Sequence, residues 1–284
     1  MMRTILVPLA PGFDTEAALD AALAIAKPMN SHVRALCVHS NAEAMVTLYP
    51  DIMANAQVGR DMIERENRRL AAAARGQFES WRLKHKLPSA PVDDRLDSCF
   101  ATWVEPAMEI EPAVTRFGRV SDLIVMNRFP ASEPLAGRCL DAALFGTGRP
   151  TLLVPKPVRW SMLEHVVVAW NSSLEASHSV FAAMPLLRAA HRVSVFTAAE
   201  SESENANSAE LDEALSWYGI TAHRVSRTHQ APSVGADLLA SAKRVDATLI
   251  VMGAYTHGRL RQSFLGGVTR RVLEEATIPV LMTH

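Results

Sequence analysis

Short apolar runs alternate with helical stretches along this chain, and the alternation is written twice. Thr4-Ile5-Leu6-Val7-Pro8-Leu9 reads as a strand, Pro11-Gly12 as a turn, and Glu16-Ala17-Ala18-Leu19 as the opening of an alanine-rich helix. The order returns in His165-Val166-Val167-Val168-Ala169-Trp170, then Asn171-Ser172-Ser173, then a helix opened by Glu175-Ala176. Second strands follow at residues 33–38 and 193–196. Strands ending in methionine recur at Leu123-Ile124-Val125-Met126 and Leu249-Ile250-Val251-Met252, and a proline introduces the last strand of each half, at Pro150 and Pro279. Strands and helices in this order predict right-handed βαβ crossovers, and so an α/β fold of two tandem, doubly wound, parallel-sheet domains.

The segment Pro155-Lys156-Pro157-Val158-Arg159 suits an extended linker, because its prolines oppose regular structure. It puts the boundary near Arg159, with domains at 1–159 and 160–284. The halves differ most between their second and third strands. Residues 58–86 predict a long helix with Ile63, Leu70, Ala74, Phe78 and Trp81 on one face and a Glu64/Arg68 pair on another. Its arginines 65, 68, 69 and 75 read as a solvated face. The polar stretch at residues 201–208 reads as a loop ahead of a shorter helix that ends near Gly219.

Composition narrows the functional classes. The 284 residues are 49% hydrophobic, enough for two ordinary cores. With 29 Lys+Arg against 30 Asp+Glu, nothing global draws the chain to nucleic acid or an anionic membrane, so phosphate chemistry here has to be local. No apolar run approaches the roughly 18 residues that span a bilayer, and the start MMRTILVPLAPG lacks the pattern of a secretory signal. Cys37, Cys99 and Cys139 are odd in number and widely spaced, which argues against a disulfide framework and fits a cytoplasmic location.

Candidate chemistry concentrates at TLIVMGAYTHGRLRQSFLGGVT, residues 248–269. A buried strand ends at Gly253, twelve residues intervene, and Gly266-Gly267 precede a helix start. Backbone N–H groups and the positive helix end would face an enclosed anion, or the glycines make only a tight strand-to-helix connection. Gly253-x4-Gly258 is followed by Arg259-Leu260 and not by Lys-[Ser/Thr], so a Walker loop is excluded. No GxGxxG follows the first strand of either half, and Gly146-Thr147-Gly148 stands in the wrong context for a dinucleotide fold. The loop signatures of ATP pyrophosphatases and class I tRNA synthetases are missing too.

These residues resemble the universal stress proteins, in particular their tandem two-domain members, whose fold is the Rossmann-like adenine nucleotide alpha hydrolase type. The family's motif is Gly, two residues, Gly, nine residues, Gly, then Ser or Thr. Here Gly253 and Gly266 match, Thr256 replaces the middle glycine, and Gly267 stands at the Ser/Thr position. The resemblance implies ATP or another adenine nucleotide as ligand, with Mg2+ accompanying it. Its residues would be Ala169, Asn171 in place of the usual Asp, and Thr197 at the nucleoside, and Gly253, Thr256, Gly266, Gly267, Val268 and Thr269 around the phosphates. Arg259 and Arg261 would add charge. The first half has Ala10 at the nucleoside position and two prolines in Asn127-Arg128-Phe129-Pro130-Ala131-Ser132-Glu133-Pro134, and is expected to bind no ATP. It is expected to form an intrachain pseudo-dimer with the second half. The edges around Leu153 and Leu281 are expected to pair within one chain or between two, the latter giving a homodimer.

Other residues carry less. His223, His229 and His257 form no metal-binding spacing. Ser172-Ser173 beside Glu175 suggests a helix cap, and Met45, Met53 and Met62 suggest packing under the long helix. No residue set supplies a general base, so the expectation is a nucleotide-binding regulator of the stress response without catalysis, or with slow hydrolysis at most. An interaction protein that keeps the fold without nucleotide is the alternative, and a small-molecule hydrolase or transferase a third reading.

Overall fold

The computed structural model describes residues 2–9, 16–38, 56–91, 98–128, 134–156, 162–198, 202–225, 227, 231–254 and 267–284. The chain divides into two compact units, Met1–Thr147 and Gly148–His284.

The first unit runs β1 (Thr4–Leu9), α1 (Glu16–Met29), β2 (His32–Cys37), α2 (Ala56–Lys84), β3 (Phe100–Val104), α3 (Ile110–Gly118), β4 (Leu123–Asn127) and α4 (Pro134–Gly146). Its strands lie in the order β3-β2-β1-β4, all parallel. The central strands are apolar throughout because helices cover both faces: Ile5, Leu6, Val7 and Leu123, Ile124, Val125 are wholly buried. Each such side chain contributes roughly 1.5–3 kcal/mol on burial.

The second unit runs β5 (Thr151–Val154), β6 (His165–Trp170), α5 (Leu174–Ala182), α6 (Met184–Ala189), β7 (Arg192–Thr197), α7 (Glu202–Trp217), β8 (Ala222–Val225), α8 (Val234–Arg244), β9 (Leu249–Gly253), α9 (Gly267–Glu275) and β10 (Val280–Thr283). Its strand order is β5-β10-β9-β6-β7-β8. The sequence β8-β7-β6-β9 repeats the β3-β2-β1-β4 of the first unit, which is the duplication seen in the chain.

One strand adds to the expected parallel sheet, and one expectation needs correction. The sheet of the second unit is not purely parallel, because β5 runs antiparallel to β10 with Leu152 opposite Leu281 and Leu153 opposite Val280. These two strands therefore pair with each other inside one chain. Residues 202–208 of the expected loop at 201–208 are instead the start of α7, a helix of 16 residues. Ser208, Leu211 and Leu215 are buried at helical spacing. Residues 157–159 of the expected linker lie outside the described residues, as do Ala10, Met45 and Met53 and the side chains of Met62 and Ile63.

The long helix α2 packs as its periodicity predicts. Ala74, Phe78 and Trp81 are buried. The Trp81 indole N–H donates to Asp20 Oδ1 over 2.6 Å, and Lys84 pairs with Glu16 at 2.7 Å, tying α2 to α1. The exposed Glu64 and Arg68 approach to 3.8 Å.

Four helices end in the same way. Asn30, Lys86, Gly219 and Asp246 have φ of 50, 55, 74 and 51°, and the following N–H returns to the last helical turn in each, as in Ser31 N–H to Ala26 O at 3.0 Å and Ala247 N–H to Ala242 O at 2.8 Å. The glycines of Gly146-Thr147-Gly148 also have local explanations. A Cβ on Gly146 would lie 2.6 Å from Thr115 Oγ1, one on Gly118 would lie 2.5 Å from Thr147 Cγ2, and Gly148 has φ +66°. Close approach of α3 to α4 demands the first two and a turn demands the third. Burial pushes the Cys37 and Cys139 thiols up to about 12, so both are inert packing groups. Among the described residues no helix is long and apolar enough to cross a membrane.

Buried histidines make stability depend on pH. The His32 ring stacks on Phe100 with centroids 4.3 Å apart, and its Nε2 lies 2.7 Å from Thr102 Oγ1. Burial, and secondarily the charge of Arg34, lowers its pKa to about 4. Burial lowers that of His165 as well. The folded state thus holds His32 neutral where the unfolded chain, with an ordinary pKa of about 6.5, takes up a proton. More protons on the unfolded state mean that stability falls as pH drops from about 6.5 towards 4, by on the order of 1–2 kcal/mol for this residue. Urea unfolding at about pH 7 and about pH 5 measures this, and His32→Gln should flatten the difference; an unchanged slope in that variant would assign the effect elsewhere.

Candidate functional site

In the second unit the chain moves outward from β6 to β7 and β8, then crosses back to β9 on the other side of β6. The strand order reverses between β6 and β9, and a parallel sheet opens a crevice at the carboxyl ends of the strands at such a point. Register puts the relevant ends side by side: Trp170 is opposite Thr197, Ala169 opposite Met252, and Gly253 opposite Thr283. Ala169, Trp170, Thr197 and Gly253 are all half-buried, so this edge is partly open to solvent.

The turn after β6 is built by its own side chains. Asn171 Oδ1 accepts the Ser173 N–H at 3.2 Å, Ser172 has φ +58°, and Ser173 Oγ accepts the Ala176 N–H at 3.1 Å as the N-cap of α5. Ser173 is therefore a cap, as the sequence suggests. The Asn171 side chain spends its carbonyl oxygen on the turn and keeps its NH2 group as a donor towards the exposed edge.

Gly253 is required by this turn. A Cβ there would lie 2.6 Å from Ala176 N and 2.7 Å from Glu175 C, both backbone atoms, so the first turn of α5 sits directly on the end of β9. Ser179 Oγ reinforces the contact by donating to the Met252 carbonyl at 2.7 Å. The tight-connection explanation of this glycine thus has a physical basis of its own, whether or not an anion binds.

Helix α9 begins at Gly267, which is exposed, and among the described residues a Cβ there would meet nothing within 4 Å. Its first-turn N–H groups have no acceptor within the helix. Val268 is half-buried, and Thr269 is buried at 4% exposure. Arg270 and Arg271 reach back to Glu274 and Glu275 at 2.8 and 3.0 Å. Thr256 and Gly266, together with His257, Arg259 and Arg261, lie outside the described residues, as does His229. His223 is exposed on β8. Among the described residues no three His, Cys, Asp or Glu side chains cluster as a metal site.

A further group at this edge escaped the sequence reading. Ser233 caps α8 by accepting the Ala236 N–H at 3.3 Å, and Gly235 lets α8 approach α9: a Cβ there would lie 3.2 Å from Val268 Cα. Asp237, one turn in, is wholly buried against Arg227 at 2.9 Å. The available signal was Pro232-Ser233 followed by Asp237, a helix start with an acid in its first turn.

Comparison with known proteins follows this geometry. The sequence profile of the universal stress protein family matches residues 162–284. None of the curated proteins compared with the chain matches it. Among solved structures, a universal stress protein from Archaeoglobus fulgidus is 14% identical over 99% of this chain and 97% of that chain, with a TM-score of 0.67. A functionally unknown protein from Pseudomonas aeruginosa is 17% identical over 99% of this chain and 92% of that chain, with a TM-score of 0.58. At these identities the likeness shows the fold, and it extends over both halves.

The contact at Gly253 predicts an asymmetry between two glycines of this edge. Gly253→Ala should cost about 1–3 kcal/mol by overpacking, whereas Gly267→Ala should change stability by no more than about 0.5 kcal/mol. Chemical denaturation midpoints compare them, and equal midpoints would show that α5 can yield.

Proposed function

We propose that the second unit, whose residues 162–284 match the universal stress protein family, binds an adenine nucleotide and acts as a regulator of the stress response without turning its ligand over. The observation that carries this reading is the convergence of the β6, β7 and β9 carboxyl ends at the point of strand reversal, where Asn171 keeps a donor. In this reading Ala169 and Thr197 flank the base and Asn171 donates to the base or ribose. Gly253, Thr256, Gly266, Gly267, Val268 and Thr269 enclose the phosphates, chiefly through backbone N–H groups. Mg2+ would accompany ATP on its own phosphate oxygens and not in a protein-built cage. Ser173, the capping member of the hydroxyl pair at this turn, is engaged by the Ala176 N–H as the N-cap of α5.

One observation favours the alternative of an interaction protein. Trp217 is 81% exposed, and Phe181 and Tyr218 beside it, with ring centroids 6.4 Å apart, are 48% and 44% exposed. Exposed aromatic groups of this kind are commoner at interfaces than elsewhere on a surface.

Isothermal titration of the full chain with ATP tests the leading reading, and Gly267→Asp is the informative variant. Among the described residues nothing stands within 4 Å of a Cβ there, so the fold should persist, and a carboxylate at the start of α9 suits the helix while repelling phosphate. Affinity should fall by at least about tenfold with an unchanged melting temperature. No binding by the wild type at millimolar ATP would overturn the reading and leave the interaction protein.

A further inference from the structure

Arg227 follows β8 and reaches inward. Its Nε–H donates to Asp237 Oδ2 over 2.9 Å, and one terminal N–H donates to the Ala198 carbonyl over 3.4 Å. The two side chains are 13% and 0% exposed, so the pair is nearly dry. Ala198 is the residue after Thr197, at the carboxyl end of β7. The Arg227–Asp237 pair therefore ties the chain leaving β7 to the first turn of α8. A well-packed apolar pair could fill the same volume without the cost of desolvating two charges, and what it could not do is hold a carbonyl in a set direction.

The same turn of α8 has a second contact that does not use the pair. Gly235 packs against Val268 in the first turn of α9 through close backbone approach. One helical turn thus meets both ends of the cleft, through a charged tie at β7 and through a steric fit at α9.

We propose that Arg227 and Asp237 are positioning residues for the base end of the cleft, fixing the backbone at Thr197 and Ala198 so that it discriminates between purine edges while leaving the phosphate end unaffected. The inference rests on the nucleotide reading above. Its mechanism is preorganisation: an acceptor held by a buried guanidinium cannot rotate to suit a different base.

The test uses the full chain carrying Arg227→Met together with Asp237→Leu, which removes both charges and avoids leaving one buried alone. Circular dichroism and melting establish that the variant is folded, and Asp237→Asn provides a near-isosteric second variant should the double variant fail to fold. Titrations with ATP, GTP and inorganic tripolyphosphate are the readouts. The ATP/GTP preference should fall about tenfold, the weight of one positioned hydrogen bond, and tripolyphosphate affinity should stay within about twofold. Faster amide exchange around Ala198 should accompany the loss, whether or not ligand is present. A folded variant with unchanged preference, an equal loss of tripolyphosphate binding, or a wild type indifferent between ATP and GTP would overturn the proposal with the nucleotide reading intact. A wild type that binds none of the three would remove that reading, and this inference would fall with it.

Discussion

At the end of β9 the chain has no room for a single methyl group. A Cβ on Gly253 would fall 2.6 Å from the Ala176 amide nitrogen, well inside contact distance, so the backbone of α5 rests on the backbone of the strand. Much of the cleft is organised by that contact. The turn after β6 must reverse within three residues to bring α5 over β9, and Asn171, Ser172 and Ser173 achieve this with an internal side-chain acceptor, a left-handed residue and a capping hydroxyl. Ser179 adds a bond to the Met252 carbonyl. The exposed donor of Asn171 is a by-product of a turn whose first demand is steric.

This double duty explains what the sequence could and could not reveal. The strands were legible almost residue by residue, because helices cover both faces of the sheet and every position in runs such as Leu249-Ile250-Val251-Met252 has to be apolar. The repeat of that pattern exposed the duplication. Polarity misled at residues 202–208, where the helix is carried by buried Ser208, Leu211 and Leu215, while its early residues look like a loop. The direction of β5 was not legible either, since a four-residue apolar strand contains nothing that distinguishes a parallel partner from an antiparallel one. Three of the four left-handed helix ends escaped for a similar reason: Asn30, Lys86 and Asp246 take a conformation that the eye looks for at glycine.

The site was legible as a position and less so as a mechanism. Glycine spacing marked the end of β9 and the start of α9, yet it could not separate a glycine that makes space for a ligand from one that makes space for a helix. Gly253 makes room for α5 whether or not a ligand is present, and a Cβ on Gly267 meets nothing within 4 Å among the described residues. Asp237 and Arg227 were invisible because ten residues separate them and only the fold brings them within 2.9 Å.

The two units show why equal topology does not yield equal sites. The strand topologically equivalent to β9 is β4, and it ends in Asn127, which is 4% exposed. A side chain thus occupies the place where the second unit has none, and the covering helix cannot press onto the strand end as α5 does. That helix, α1, also opens with Glu16, whose carboxylate bonds Lys84 of α2 at 2.7 Å, so the positive end of its dipole already faces an anion from its own chain. In the first unit small residues serve the packing of α3 on α4, at Gly118 and Gly146. Duplication preserved the order of strands, which core burial enforces, and let the strand ends diverge, where one residue decides whether a helix start or a side chain fills the crevice.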